Sequence, residues 1–127
     1  MRVVLVGGGN VGTYIARELH GSGHEVLIVE EDPNRVAQAL ANNEPEGVSW
    51  LQADACEVSE FMKAEPGKAD VVVAVTGDDE DNLVIAQLCR ERYGVEKVIA
   101  RVNDPRNQGH FDLLGVTPTV CPTQRMS

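Results

Sequence analysis

Short apolar runs and longer stretches of helical character alternate along the whole chain. The runs predict strands at Arg2–Val6, Glu25–Glu30, Val48–Gln52, Asp70–Thr76, Lys97–Val102 and Thr117–Cys121. The stretches between them predict helices at Val11–His20, Pro33–Asn42, Ala55–Lys63, Asp79–Tyr93 and Pro105–Leu114. Such alternation argues for parallel strands joined by crossover helices. Val71-Val72-Val73-Ala74-Val75 is apolar without alternation, as a central strand covered on both faces should be. Right-handed crossovers favour the strand order 3-2-1-4-5-6, with the switch point between the first and fourth strands. The expected fold class is therefore α/β: a Rossmann-like, doubly wound parallel sheet in a single domain, with ligand lying across the carboxyl ends of those two strands.

The first strand breaks directly into Gly7-Gly8-Gly9-Asn10-Val11-Gly12, a G-x-G-x-x-G turn leading into a helical stretch. That context turns a common glycine pattern into a dinucleotide-site expectation. Gly7 lets the strand turn sharply, Gly9 lets the backbone approach a pyrophosphate, and Gly12 removes a side chain where the helix must meet the sheet. The unpaired N–H groups at the start of the helix near Val11 then face the phosphates, so no lysine is needed.

Glu30 ends the second apolar run, 21 residues after Gly9, near the ~20-residue interval for an acid that hydrogen-bonds ribose hydroxyls. A carboxylate there accepts from the diol and repels a 2′-phosphate. NAD(H), or another adenosine ribose without that phosphate, is expected in preference to NADP(H). Glu31 and Asp32 read as a solvated acidic turn before Pro33 begins a helix.

With 127 residues the chain is long enough for one domain with a real core and short for an additional substrate domain. A net charge of −9 and scattered lysines and arginines argue against nucleic acid as a partner. No stretch approaches the ~20 apolar residues of a membrane span, and Met1 leads straight into the first strand, so a cytosolic protein without direct membrane insertion is expected. Cys56, Cys89 and Cys121 are far apart and read as reduced, mostly structural thiols. His20 and His24 are separated by Gly21, Ser22 and Gly23, which should end the helix rather than hold two imidazoles on one face, so no metal site is expected there; His110 has no partner in sequence.

Further local patterns occur in a fixed order. Ala53-Asp54-Ala55 comes after the third strand, and Val73-Ala74-Val75-Thr76-Gly77-Asp78-Asp79-Glu80-Asp81-Asn82-Leu83 runs from the fourth strand into the start of the next helix. Val98-Ile99-Ala100-Arg101-Val102-Asn103-Asp104-Pro105 covers the fifth strand, and Leu114-Gly115-Val116 comes later. Together they resemble the RCK, or TrkA-N (KTN), domain that regulates prokaryotic potassium channels and Trk/Ktr-type potassium transporters.

The resemblance implies a cytosolic regulatory domain or subunit without turnover. It implies binding of NAD(H) or an adenine nucleotide (ATP/ADP) and passage of a conformational change to an integral-membrane potassium channel or transporter subunit. It further implies a homo-oligomer, a dimer or a larger ring. Position by position, Gly7, Gly8, Gly9, Asn10 and Val11 would cradle phosphates, Glu30 would bind the adenosine ribose, and Asp54 with Ala55 would border the adenine. Val75 and Thr76 would meet the ligand at the fourth strand's end, and Arg101 would offer a guanidinium to a phosphate or a neighbouring ribose. Asp79 and Asn82 would cap the next helix or its neighbouring loop. Some ATP-responsive members carry an arginine where this chain has Asn10, and Asn10 cannot supply that charge. Members of the family usually continue into a small C-terminal ligand-binding domain, which this chain is expected to lack.

The alternative reading is an NAD-dependent dehydrogenase or its cofactor-binding half. Tyr93-Gly94-Val95-Glu96-Lys97 matches the Tyr-x-x-x-Lys pairing of short-chain dehydrogenases. Gly94 should end the helix and Lys97 should start a strand, which would keep the two side chains off one helical face. Asp78-Asp79-Glu80-Asp81 lacks the alternating ligands and turning glycine of a calcium loop and suits a helix start instead.

Overall fold

Two apolar runs distant in sequence lie side by side at the middle of the structure. The computed structural model describes residues 1–113 and 117–119. In it β1 (Arg2–Val6) pairs in parallel with β4 (Val71–Ala74), and each residue of Val3–Val6 and Val71–Ala74 is buried. Burial on both faces accounts for the absence of apolar–polar alternation. The sheet is completed by β2 (Glu25–Glu30), β3 (Ser49–Gln52), β5 (Lys97–Arg101) and β6 (Thr117–Thr119). All pairings are parallel and the order is β3-β2-β1-β4-β5-β6, the one that right-handed crossovers favour.

Side chains of successive strand residues point to opposite faces, so each strand feeds two cores. On one face Val3, Leu5, Val26, Ile28 and Val73 pack with Ile15, Ala16 and Leu19 of α1 (Asn10–Gly21). On the other, Val4, Val6, Val29, Val72 and Ala74 pack with Phe61 of α3 (Val58–Phe61), Ile85 and Cys89 of α4 (Asp79–Glu91) and Phe111 of α5 (Gln108–Leu113). The remaining helix, α2 (Pro33–Asn42), lies against β2 and β3.

The elements differ from expectation mainly at their ends, where side-chain hydrogen bonds decide. The helix expected over Ala55–Lys63 is one α-turn continued by a 3-10 turn at Met62–Ala64. Asp54 is the reason: its Oδ1 accepts from the Cys56 amide at 2.9 Å, and its own amide donates to Glu60 Oε1 at 3.0 Å, holding residues 54–57 in a turn. The fourth helix stops at Glu91 rather than Tyr93, because Gly94 adopts φ +65 and Val95 returns its amide to Cys89 O. The strand expected over Asp70–Thr76 is shorter, although the Val75 amide still donates to Val6 O at 2.9 Å. The last strand is described over Thr117–Thr119, and Val120 and Cys121 of the expected strand lie outside the described residues.

The turn from β1 into α1 depends on one close approach. Gly7 adopts φ +110, a conformation that other residues rarely take, with its amide donating to Val29 O at 2.9 Å. A Cβ on Gly12 would collide with the Gly7 carbonyl, so α1 can begin where it does only if position 12 has no side chain. A Cβ on Gly9, by contrast, would meet nothing nearer than Arg35 Nη1 at 3.8 Å. Gly12→Ala is therefore expected to destabilise the protein by ~1–3 kcal/mol through overpacking, whereas Gly9→Ala leaves the free energy of urea unfolding within ~0.5 kcal/mol of the original. Equal midpoints for the two variants would refute this account of the turn.

Candidate functional site

The carboxyl ends of β1 to β4 open into a crevice of about 380 Å³. Val6, Gly7 and Gly9 border it from the first turn, Glu30 and Glu31 from the second, Asp54, Ala55 and Cys56 from the third, and Thr76, Gly77 and Asp78 from the fourth. Arg35 of α2 and Asp81 and Ile85 of α4 close its sides. This is the switch-point position in which open α/β sheets bind ligands.

Glu30 is buried, at 6% exposure, and its charge is held by backbone donors from two different turns. Gly8 N donates to Oε1 at 2.7 Å and Asp32 N to Oε2 at 2.9 Å. Arg35 Nη1 lies 3.2 Å from Oε1. A Cβ on Gly8 would strike the ring of Trp50, so the Gly8 amide reaches Glu30 only because position 8 is bare. The amino end of α1 contrasts with those of α2 and α4. Asp32 caps α2 through the Asn34 amide, and Asp78 caps α4 through the Glu80 and Asp81 amides. Gly9 heads α1 with no side-chain cap, and no acid stands in its first turn. The donors there remain open to an outside anion.

The β4 edge of the crevice is held by Asn82, which is fully buried on α4. Its Oδ1 accepts from Thr76 N at 3.0 Å and Thr76 Oγ1 at 2.6 Å, while its Nδ2 donates to Thr76 O and Arg101 O. The ends of β4 and β5 are thereby tied through one amide. Asp79 ties the next loop: its carboxylate accepts from the amides of Asn103 and Asp104 and from the side-chain amides of Asn103 and Asn107, at 2.6–2.9 Å. Burial alone would raise its pKa; the four donors outweigh it and hold the carboxyl below the ordinary range. Both residues serve the loops beside α4, as expected, and Asp78 is the cap itself.

The far wall is acidic. Desolvation, then the neighbouring carboxylates of Asp54 and Asp81, raises Glu31. Desolvation and Asp78 raise Asp81, against a hydrogen bond from Cys56 that lowers it. The same environment, desolvation first and then the charge of Asp81, pushes the Cys56 thiol up to about 12.

Of the residues expected at the site, Gly7, Gly9, Glu30, Asp54, Ala55 and Thr76 share the crevice. Gly8 and Asn10 border a neighbouring groove of about 410 Å³ between α1 and α2. Val11, Val75 and Arg101 face a third, largely apolar groove of about 420 Å³ on the α1 side of the sheet. Gly12 is buried against Gly7. The structure adds Arg35, Glu31, Cys56, Asp78 and Asp81. Arg35 is foreshadowed by its place one turn into the helix after Glu30; nothing in the order of residues brings Cys56 and Asp81 together. Tyr93 packs edge-to-face on Phe61, with ring centroids 5.6 Å apart, in one core, and its hydroxyl is buried with no partner among the described residues. Lys97 borders the apolar groove on the other face, so the Tyr-x-x-x-Lys pair is not assembled.

A parallel sheet of this order, an uncapped glycine turn at its switch point and a buried acid closing the second strand define a Rossmann-like α/β domain. Residues 3–122 match the TrkA-N domain, and the chain belongs to that family. It is 41% identical over 127 residues to the Trk system potassium uptake protein TrkA of Mycobacterium tuberculosis strain H37Rv, covering 99% of this chain and 56% of that protein. The Kef C-terminal domain of Shewanella denitrificans, solved in an AMP-bound form, has a TM-score of 0.81 at 22% identity, covering 99% of this chain and 74% of that one. The GsuK channel bound to NAD has a TM-score of 0.80 at 20% identity, covering 98% of this chain and 22% of that one. The chain spans about half the length of the curated relatives it matches. Among the described residues no helix is long and apolar enough to cross a membrane.

The electrostatics have two measurable consequences. Because the Asp79 pKa is depressed in the folded state, its contribution is fully present above the ordinary aspartate value of ~3.9 and is lost as pH falls through the folded value. Asp79→Ala should cost ~1–3 kcal/mol in urea unfolding at neutral pH, and the gap to the unaltered protein should narrow as pH falls below ~4; a pH-independent gap would contradict the assignment. Burial also pushes the Cys89 thiol up to about 12. Alkylation by iodoacetamide at pH 8, with peptide mapping of the products, should label Cys56 and Cys89 at least about tenfold more slowly in the native protein than in urea.

Proposed function

We propose that this chain is a nucleotide-binding regulatory domain that takes NAD(H) or an adenine nucleotide in the crevice and, without turning it over, controls a potassium uptake system or channel. The observation that carries the reading is the amino end of α1. It is uncapped, free of acids and open above Gly9, while the neighbouring helices fill theirs with Asp32 and Asp78. A diphosphate there would take the free amides of α1, and Glu30 would accept from the ribose diol. Asp54 and Ala55, which line the crevice, would border the base, and Thr76 would meet the ligand from β4.

The family supports the regulatory half of the reading. Its relative in M. tuberculosis is named as a potassium uptake protein, and the fold recurs in a Kef C-terminal domain solved in an AMP-bound form and in the GsuK channel bound to NAD. Separation of Tyr93 and Lys97 to opposite faces of the sheet speaks against the dehydrogenase alternative. A regulator needs only a ligand that binds two conformations unequally. A ligand lying on both the Glu30 turn and the Thr76 turn senses their relative position, and a differential of ~1–3 kcal/mol between its forms is an ordinary coupling energy. The membrane partner would read that change through paired copies of the domain at the cytoplasmic side.

Titration calorimetry with NAD, NADH, ATP, ADP and AMP tests the binding. At least one is expected to bind, with a change in the fluorescence of Trp50, the single tryptophan, whose ring abuts Gly8. Gly9→Val should lower that affinity by about tenfold or more with unaltered circular dichroism, because the side chain fills the phosphate position and the backbone there is extended. No binding by any of the five, or binding indifferent to Gly9→Val, would sink the proposal, as would hydride transfer from NADH to small carbonyl compounds.

A further inference from the structure

Arg35 occupies an unusual position between two cavities. Arg35 borders both the crevice and the groove between α1 and α2, and its Nη1 is the nearest atom, at 3.8 Å, to a Cβ placed on Gly9. The crevice is lined by five carboxylates, and Arg35 is the one cation among its described lining residues. A phosphate entering such a site meets repulsion that backbone amides alone only partly offset.

The lone pairs of Glu30 make the contact with Arg35 exchangeable. A carboxylate offers about four acceptor positions. Gly8 N and Arg35 Nη1 occupy Oε1, and Asp32 N occupies Oε2. A ribose diol donates two hydrogen bonds and finds one position free, so full engagement requires Arg35 to withdraw. Withdrawal leaves the buried charge still bonded to two amides at 2.7 and 2.9 Å, whereas the Arg35 contact is longer, at 3.2 Å. The Arg35 side chain is 49% exposed against 7% for Glu30, so the arginine is the partner free to move.

Resting on the nucleotide reading, we propose that Arg35 determines the site's selectivity for phosphorylated ligands: on binding, its guanidinium exchanges the Glu30 carboxylate for a ligand phosphate above Gly9. The ribose thereby gains an acceptor and the phosphate gains a charge-assisted donor in one movement. A nucleoside without phosphate displaces the arginine and returns nothing to it. Arg17 borders the groove but not the crevice, so it carries the same charge nearby without this exchange.

The test is calorimetric titration of the full chain with adenosine, AMP, ADP and NAD for the unaltered protein, Arg35→Gln and Arg17→Gln. Arg35→Gln should weaken AMP, ADP and NAD by about tenfold or more. It should leave adenosine binding unchanged within about twofold or tighten it, and flatten the salt dependence of ADP binding. Arg17→Gln should leave all four within about twofold. Equal losses for adenosine and ADP, or an unchanged salt dependence, would make Arg35 merely a support for Glu30 and overturn the assignment. So would an equal loss in Arg17→Gln, or unchanged ADP affinity in Arg35→Gln. If the unaltered chain binds none of the four, the nucleotide reading itself falls, and the exchange falls with it.

Discussion

A buried carboxylate with a donor from each of two turns organises this domain. Taking a charge out of water is costly unless the protein supplies donors in place of the lost hydration. Glu30 receives them from Gly8, in the turn after β1, and Asp32, in the turn after β2. Neither turn can shift alone without taking a backbone donor from a buried anion. The bare Gly8, pressed by the Trp50 ring, the open Gly9 and the Gly12–Gly7 contact all lie within this one constraint. The phosphate cradle and the ribose acceptor are thus parts of a single bonded unit.

A second tie, built on the other half of the sheet, uses a neutral amide. Asn82 joins the Thr76 end of β4 to the Arg101 end of β5 from inside the core, and Asp79 draws in the loop beyond β5. The crevice lies between the two ties, with Glu30 on one side and Thr76 on the other. A ligand that touches both would resist their relative movement, which is the property a regulatory domain needs. The acids at 78, 79 and 81 accordingly divide their labour: a helix cap, a loop clamp, and a member of the crevice wall bonded to Cys56. Their adjacency in sequence conceals three different environments.

Much of this was legible from the order of residues, and for definite reasons. Strand period and crossover handedness are local and combinatorial constraints, so the unbroken valines of β4 and the alternation of strands with helices yield the sheet order directly. Gly7, Gly12 and Glu30 were readable because a backbone turn, a close helix and a strand end each demand a particular residue type at a set interval. Element ends were less legible: the turn at Asp54 and the left-handed Gly94 each cut a helix through hydrogen bonds that propensity does not contain.

The chain by itself determined the architecture, the glycine turn and the place of the acid, because these arise from covalent geometry, steric exclusion and periodicity along the backbone. Tertiary structure alone decided that Arg35 overhangs Gly9, that Trp50 excludes a side chain at position 8, that Cys56 meets Asp81, and that Arg101 and Val75 face the apolar groove rather than the crevice. Such relations depend on distances between side chains of different elements, and these are set only when both faces of the sheet are packed at once.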